Sequence, residues 1–332
     1  MDEVFCAQSA FKFYRTPPQV LMGKTSIRQI FGYPTHTLIQ SRSEHFSSDQ
    51  KKMHLWTGEL PLGALVEIPG VGTITSPLMT LFTMATAFGK VELALAMYEF
   101  CGEFSIYEPS DEEEASCSTS PLGAWDRVID AAGRPTSLWM RPFLISLDEL
   151  LPFAQSLKGR RGYRTFLDAA KMVLGVCRSP FEVQAAMLLG LPRKLGGYGF
   201  DLRTNEQLNL TRQARRIAQR GYCVADLYVA SKDGTCAVDV ECQGAAVHSS
   251  LGAAAPDADR TTALEAMGVD VVLLSYAQIA DPMRLATVAG LMAAKLGEAL
   301  RPKTARMVMA ESDLRRRIFI DWRTLCDQTN AK

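Results

Sequence analysis

The 332-residue sequence is notable first for what it lacks. It has no excess of either charge, with 36 Lys and Arg against 36 Asp and Glu, so any attraction for a polyanion has to come from a local patch. It has no run of about 18 apolar residues, which argues against a membrane span and for a protein with no membrane partner. The Met1 start has none of the basic, apolar and small-residue regions of a signal peptide. Its eight cysteines are scattered without a C-x-x-C pair, which excludes a zinc knuckle and a dense disulfide framework and leaves reduced thiols in a cytoplasmic protein as the expectation. Histidine is scarce, four in all, and only His248 lies beyond His54. No internal repeat is present.

What is there is 47% hydrophobic content, enough at this length for two cores. The expected fold class is α/β, with an α+β N-terminal region over 1–160 and a second domain over 161–332. The glycine and arginine stretch 159–162 marks the boundary. In the first region a helix is expected over 8–14, with strands over 37–39, 54–56, 65–68 and 73–75. A helix follows the Ser76-Pro77 N-terminal signal, and another starts near Val91. The acidic, serine-rich segment 108–121 is expected to be a solvated, mobile loop.

After the boundary the periodicity predicts a helix over 163–176 and another opened by Ser179-Pro180. Gly196-Gly197-Tyr198-Gly199 is a turn and not a phosphate loop, since no Lys-Ser/Thr follows it. Two strands come next, then helix 259–267, a buried strand over 269–274 and a long helix over 281–300. A basic tail with Arg315, Arg316 and Arg317 ends the pattern.

The two strands carry the chemistry. Residues 224–229 and 236–242 are β-prone and flank Lys232-Asp233-Gly234-Thr235. A two-residue Asp-Gly type I′ loop would make paired residue numbers sum to 467, setting Asp226 opposite Glu241. Glu241 shares its face with Asp239 and Gln243. Facing acids repel unless a cation or proton lies between them, and such oxygen donors suit Mg²⁺ or Mn²⁺ rather than zinc. A plainly solvated polar face is the competing reading.

Four segments, SPFEVQAAMLLGLPRKLGGYGF, VADLYV, VDVECQGAAVH and DADRTTALEAMGVDVVLLSY, together resemble the very-short-patch-repair-endonuclease-like branch of the PD-(D/E)xK superfamily. More closely, they are similar to uncharacterised actinobacterial proteins that join such a domain to an N-terminal region like abortive-infection antitoxins. The stretch TSPLMTLFTMA carries that weaker N-terminal likeness. The resemblance implies a restriction-endonuclease-like mixed sheet flanked by helices. It implies metal binding by Asp226, Glu241 and the Cys242 carbonyl, with Glu182 completing an acidic cluster and His248 near the attacking water. Gln243 stands where the superfamily has its lysine, and offers only a neutral hydrogen-bond donor there.

Several of these residues have a second reading. Ser179-x-x-Glu182 is also a capping box. His248 can be an ordinary solvated or core histidine. Arg260 either braces the domain through a carboxylate or contacts DNA. Arg212, Arg215, Arg216 and Arg220 follow helical spacing, as a phosphate-neutralising stripe or as a soluble face. Two functions follow. One is a Mg²⁺- or Mn²⁺-dependent DNA endonuclease, in DNA repair or in defence against phage and mobile elements. The other is an inactive nuclease fold that binds or regulates, with a protein partner in a defence system.

Overall fold

The computed structural model describes residues 3–46, 48–117, 124–244 and 254–327. The protein is mixed α/β and divides into two units. The first comprises Met1–Arg127, Ser137–Lys171 and Asp321–Lys332, and the second Val128–Thr136 and Met172–Ile320. The division thus falls at 171/172 rather than 160/161, and the C-terminal end of the chain groups with the first unit.

The first unit begins with β1 (Val4–Phe5), α1 (Ala7–Arg15), α2 (Pro18–Met22), α3 (Ile27–Phe31), β2 (Thr35–Ile39) and β3 (Lys51–Leu55). Next come β4 (Leu65–Ile68), β5 (Gly72–Thr75), α4 (Pro77–Met84), α5 (Lys90–Cys101) and β6 (Phe104–Ile106). Five of these strands form a sheet in the order β3-β2-β1-β5-β4, in which β1 pairs parallel with β5 and antiparallel with β2. The core rests on Phe5, Phe31 and Ile74, with the Phe5 and Phe31 rings stacked at 3.8 Å. In α5 every residue from Leu93 to Cys101 is buried, so this helix is apolar almost all round, as a central helix must be.

Residues 111–117 form helix α6 (Asp111–Cys117), which corrects the expected mobile loop over that stretch. Its four leading acids lie in the first turn, where the helix dipole favours them, and Glu113 bonds Lys24 at 2.5 Å and the Tyr107 hydroxyl at 2.7 Å. Beyond it lie β7 (Asp126–Ile129), β8 (Pro135–Met140), which pairs antiparallel with β6, α7 (Leu147–Ser156) and α8 (Tyr163–Ala170).

The main segment of the second unit begins with α9 (Pro180–Gly190), buried throughout from Phe181 to Leu189. It continues through β9 (Leu202–Asn209), α10 (Arg212–Ala218), β10 (Tyr222–Ala230), β11 (Ala237–Gln243), α11 (Ala254–Glu265) and β12 (Val269–Ser275). These strands form one sheet in the order β12-β11-β10-β9. β10 is antiparallel to both neighbours, and β12 returns parallel to β11 after the helical crossover. Helices α10 and α11 cover a core of Leu210, Ala214, Ala263, Leu264 and Val269. Gly197 sits where a Cβ would lie 2.0 Å from the Leu191 carbonyl oxygen, so the turn after α9 requires glycine at that position.

The second unit closes with α12 (Tyr276–Ala280), α13 (Pro282–Lys295) and α14 (Ala305–Ile318). The expected basic tail is therefore the last turn of a helix. Arg315 is buried there, bonded to Glu311 at 2.9 Å and to the Ile279 carbonyl.

Candidate functional site

The β10–β11 hairpin has the expected register by a different turn. Leu227 pairs with Val240, Tyr228 with Asp239, Val229 with Val238 and Ala230 with Ala237, so paired numbers sum to 467. The loop holds four residues rather than two. Ser231 N–H donates to the Cys236 carbonyl at 2.8 Å, and Gly234 N–H donates to the Ser231 carbonyl at 2.9 Å. Only Gly234 of the Asp-Gly pair has positive φ, +72°, which rules out the expected type I′ turn. Asp233 instead accepts from the Ser231 hydroxyl, the Thr235 N–H and the Thr235 hydroxyl, bonds that hold its carboxyl down to about 2. One residue added on each side of a symmetric turn leaves the register unchanged.

The backbone ladder stops one pair before Asp226 and Glu241. The next link is made by a side chain, because Asp226 Oδ2 accepts from the Cys242 N–H at 2.9 Å. The other neighbour of β10 is distorted at the same level. Ala225 pairs with Glu206 and Leu227 with Thr204, while Asn205 between them is left-handed at φ +47°. Its Nδ2 donates to the Val176 carbonyl at 2.9 Å and to Glu182 Oε2 at 3.2 Å. Asn tolerates this backbone region better than other non-glycine residues.

Glu182 lies in the first turn of α9 and serves both the cap and the cluster. Its N–H donates to the Ser179 hydroxyl at 3.2 Å, while its carboxylate accepts from that hydroxyl at 3.0 Å and from the Arg178 N–H at 2.8 Å. A standard capping box would use the Ser179 N–H; here the carboxylate reaches one residue further back.

The electrostatics bind these residues into one group. Burial, then the negative charges of Glu241 and Glu182, push the Asp226 carboxyl up to about 7. Burial also raises Glu182, against the bonds it accepts. Asp239 is fully buried, and burial followed by Glu241 carries it up to about 9, although Arg260 lies 3.0 Å away. One nitrogen explains that outcome. Arg260 Nη2 donates to Asp239 Oδ2, to Glu241 Oε1 and, at 2.7 Å, to the Val224 carbonyl, so the cation is shared. Asp239 Oδ1 is buried with no hydrogen-bond partner. Strand parity could have singled out Asp239, but nothing in the sequence marks the left-handed Asn205.

The donor chemistry suits a hard divalent cation, since carboxylate oxygens outnumber the guanidinium they share. The resting geometry is occupied by protein partners, however: Glu241 by Arg260, Asp226 by the Cys242 N–H, and the Cys242 carbonyl by the Gly244 N–H at 2.9 Å. Among the described residues no three His, Cys, Asp or Glu side chains converge as a metal site. Burial raises the Cys242 thiol well above its usual range, so it supplies no thiolate.

Gln243 is exposed at the end of β11, beside Ser275. His248 lies outside the described residues. Arg212, Arg215 and Arg216 are exposed on α10, but this helix ends at Ala218 and Gln219 turns left-handed at φ +53°. Arg220 therefore falls off the helix, which breaks the expected four-arginine stripe. No helix among the described residues is long and apolar enough to cross a membrane. No protein-family model, curated protein or solved structure matches the chain.

Proposed function

We propose that the second unit is a restriction-endonuclease-like domain of the PD-(D/E)xK kind, a metal-dependent phosphodiesterase acting on DNA. The observation that carries this reading is the charge imbalance around the hairpin: beyond burial, the charges of Glu241 and Glu182 raise Asp226 and those of Glu241 and Asp226 raise Asp239, while Arg260 bonds only Asp239 and Glu241. The order of elements supports it, since a helix bearing Glu182 precedes three antiparallel strands, a crossover helix and a parallel fourth strand.

In this reading Asp226 and Glu241 hold Mg²⁺ or Mn²⁺. When bound, the ion supplies Lewis acidity and a nucleophilic water at neutral pH. Glu182 is fixed by three donors and completes the acidic cluster beside Asp226. Arg260 neutralises Glu241 at rest. His248 is the proposed general base, and Gln243 donates a neutral hydrogen bond toward the scissile phosphate. Arg212, Arg215 and Arg216 contact backbone phosphates without reading sequence.

A second reading has its own support. The hold of Arg260 on Glu241 and Asp239 gives the acids a protein counter-ion, and glutamine replaces lysine at residue 243. Both favour a nuclease fold kept for binding or regulation, with an antitoxin-like first unit. A cleavage assay separates the two. Full-length protein with Mg²⁺ or Mn²⁺ should cut at least one of several DNA forms, and Asp226→Ala should abolish the activity. Absence of cleavage on every DNA and RNA form, with no restoration by Gln243→Lys, would leave the regulatory reading.

A further inference from the structure

The first unit contains a concavity of about 840 Å³, inside the range usual for small-molecule sites. Its wall includes Arg42, His45, Lys52, Arg160 and Arg161, and no aspartate or glutamate lines it. An adjoining cavity of about 670 Å³ shares Leu38 and Met53 with it but carries Glu3 and Glu44 beside Lys51. Of these two cavities only the larger carries charge of one sign. A cleft lined by a single sign of charge focuses its field and concentrates counter-ions.

The cations are not all in the same condition. Arg160 is fixed, donating to the Thr57 carbonyl with its guanidinium 4.5 Å over the Trp56 ring. Among the described residues no carboxylate pairs with Arg42, Lys52 or Arg161, and all three are exposed. His54 also lines the cavity and shares a 2.9 Å hydrogen bond with His36; burial, then Lys52, pushes it down to about 4, so it stands neutral. The floor is apolar, built from Leu38, Met53, Phe82 and Ala87.

We propose that this cavity binds a phosphorylated small molecule of mononucleotide size, with its phosphoryl groups on Arg42, Lys52 and Arg161 and its body on the apolar floor. Three unpaired cations without a carboxylate exceed what a single carboxylate ligand would neutralise. Guanidinium forks match phosphate oxygens in geometry as well as in charge. The site lies wholly in the first unit and is independent of the acidic cluster.

Calorimetric titration of the full chain with ATP and AMP, in EDTA to keep metal chemistry out, tests the assignment. ATP should bind more tightly than AMP, and rising salt should weaken both. Lys52→Ala and Arg161→Ala should each weaken ATP binding about tenfold or more, with unchanged circular dichroism and melting temperature. Lys52→Arg should retain binding, and Lys51→Ala, in the neighbouring cavity where Lys51 pairs with Glu3, should leave it unaltered. No ATP binding up to about 1 mM, or binding indifferent to both alanine variants, overturns the proposal. It is equally overturned if inorganic phosphate binds as tightly as AMP, or if a 5′-phosphorylated oligonucleotide uses these residues while ATP does not.

Discussion

Each unit sets an arginine against carboxylate, buried for Arg15 and half-buried for Arg260, and the two arrangements differ in how completely they are satisfied. In the first unit Arg15 Nε and Nη2 grip both oxygens of Glu99 at 2.8 and 2.7 Å. Glu99 Oε1 also accepts from the Ser105 hydroxyl and the Ile106 N–H, and Arg15 Nη2 donates onward to the Trp322 carbonyl at 2.7 Å. In the second unit a single nitrogen of Arg260 serves two carboxylates and a carbonyl, and one oxygen of buried Asp239 has no partner. A buried ion pair in which both carboxylate oxygens meet donors helps to specify a fold. One with surplus negative charge and an idle oxygen is poised to take a proton or a cation.

The largest effect should come from breaking the satisfied pair. Arg15→Met strands Glu99 without its cation and should cost about 3–5 kcal/mol in denaturant unfolding. A loss below about 1 kcal/mol would mean the pair contributes little, and the contrast with Arg260 would collapse.

Asp239 should behave in the opposite sense. Its folded carboxyl titrates near 9 and an unfolded one near 3.9, so the folded state keeps a proton that the unfolded chain has released. That contribution to stability is complete below about pH 4 and is lost as pH rises toward 9. Asp226 adds a similar decline that ends near pH 7. Asp239→Asn should therefore flatten stability between pH 7 and 9, where wild type falls by up to about 2–3 kcal/mol. Parallel curves for the two proteins over that window would remove Asp239 from the account.

A smaller effect is expected at Glu182. Three donors face its carboxylate, whereas a glutamine has one acceptor oxygen and an amide that opposes a donor. Glu182→Gln should thus destabilise by about 1–2 kcal/mol, read as a melting-temperature shift. A variant as stable as wild type with full cleavage would restrict Glu182 to an ordinary, glutamine-tolerant cap.

The sequence exposed most where one residue type does one job. Ser179-Pro180 opens α9, the β-prone runs around Asp233-Gly234 become β10 and β11, and Val269–Ser275 is a strand. That strand lies at the sheet edge and is only partly buried, with Leu273 exposed, rather than the buried strand expected. Strand β9 escaped because LRTNEQLN has no apolar alternation; its identity comes from pairing with β10. Helix α6 escaped because a run of acids reads as solvated coil, although a helix N-terminus stabilises such a run. At the site, parity placed Asp226, Asp239 and Glu241 together. The splaying at Asn205 and the division of Arg260 between two acids arise from tertiary contacts among residues far apart in sequence.

The four-residue turn between Ser231 and Cys236 also bears on how this hairpin can change length over generations. Growth or shrinkage by one residue on each side carries every cross-strand partnership through intact. A single-residue insertion or deletion demands a compensating bulge or rotates one strand by half a repeat, exchanging its buried and acidic faces. Length variation at this tip should therefore run in even steps, leaving a parity imprint in the loop.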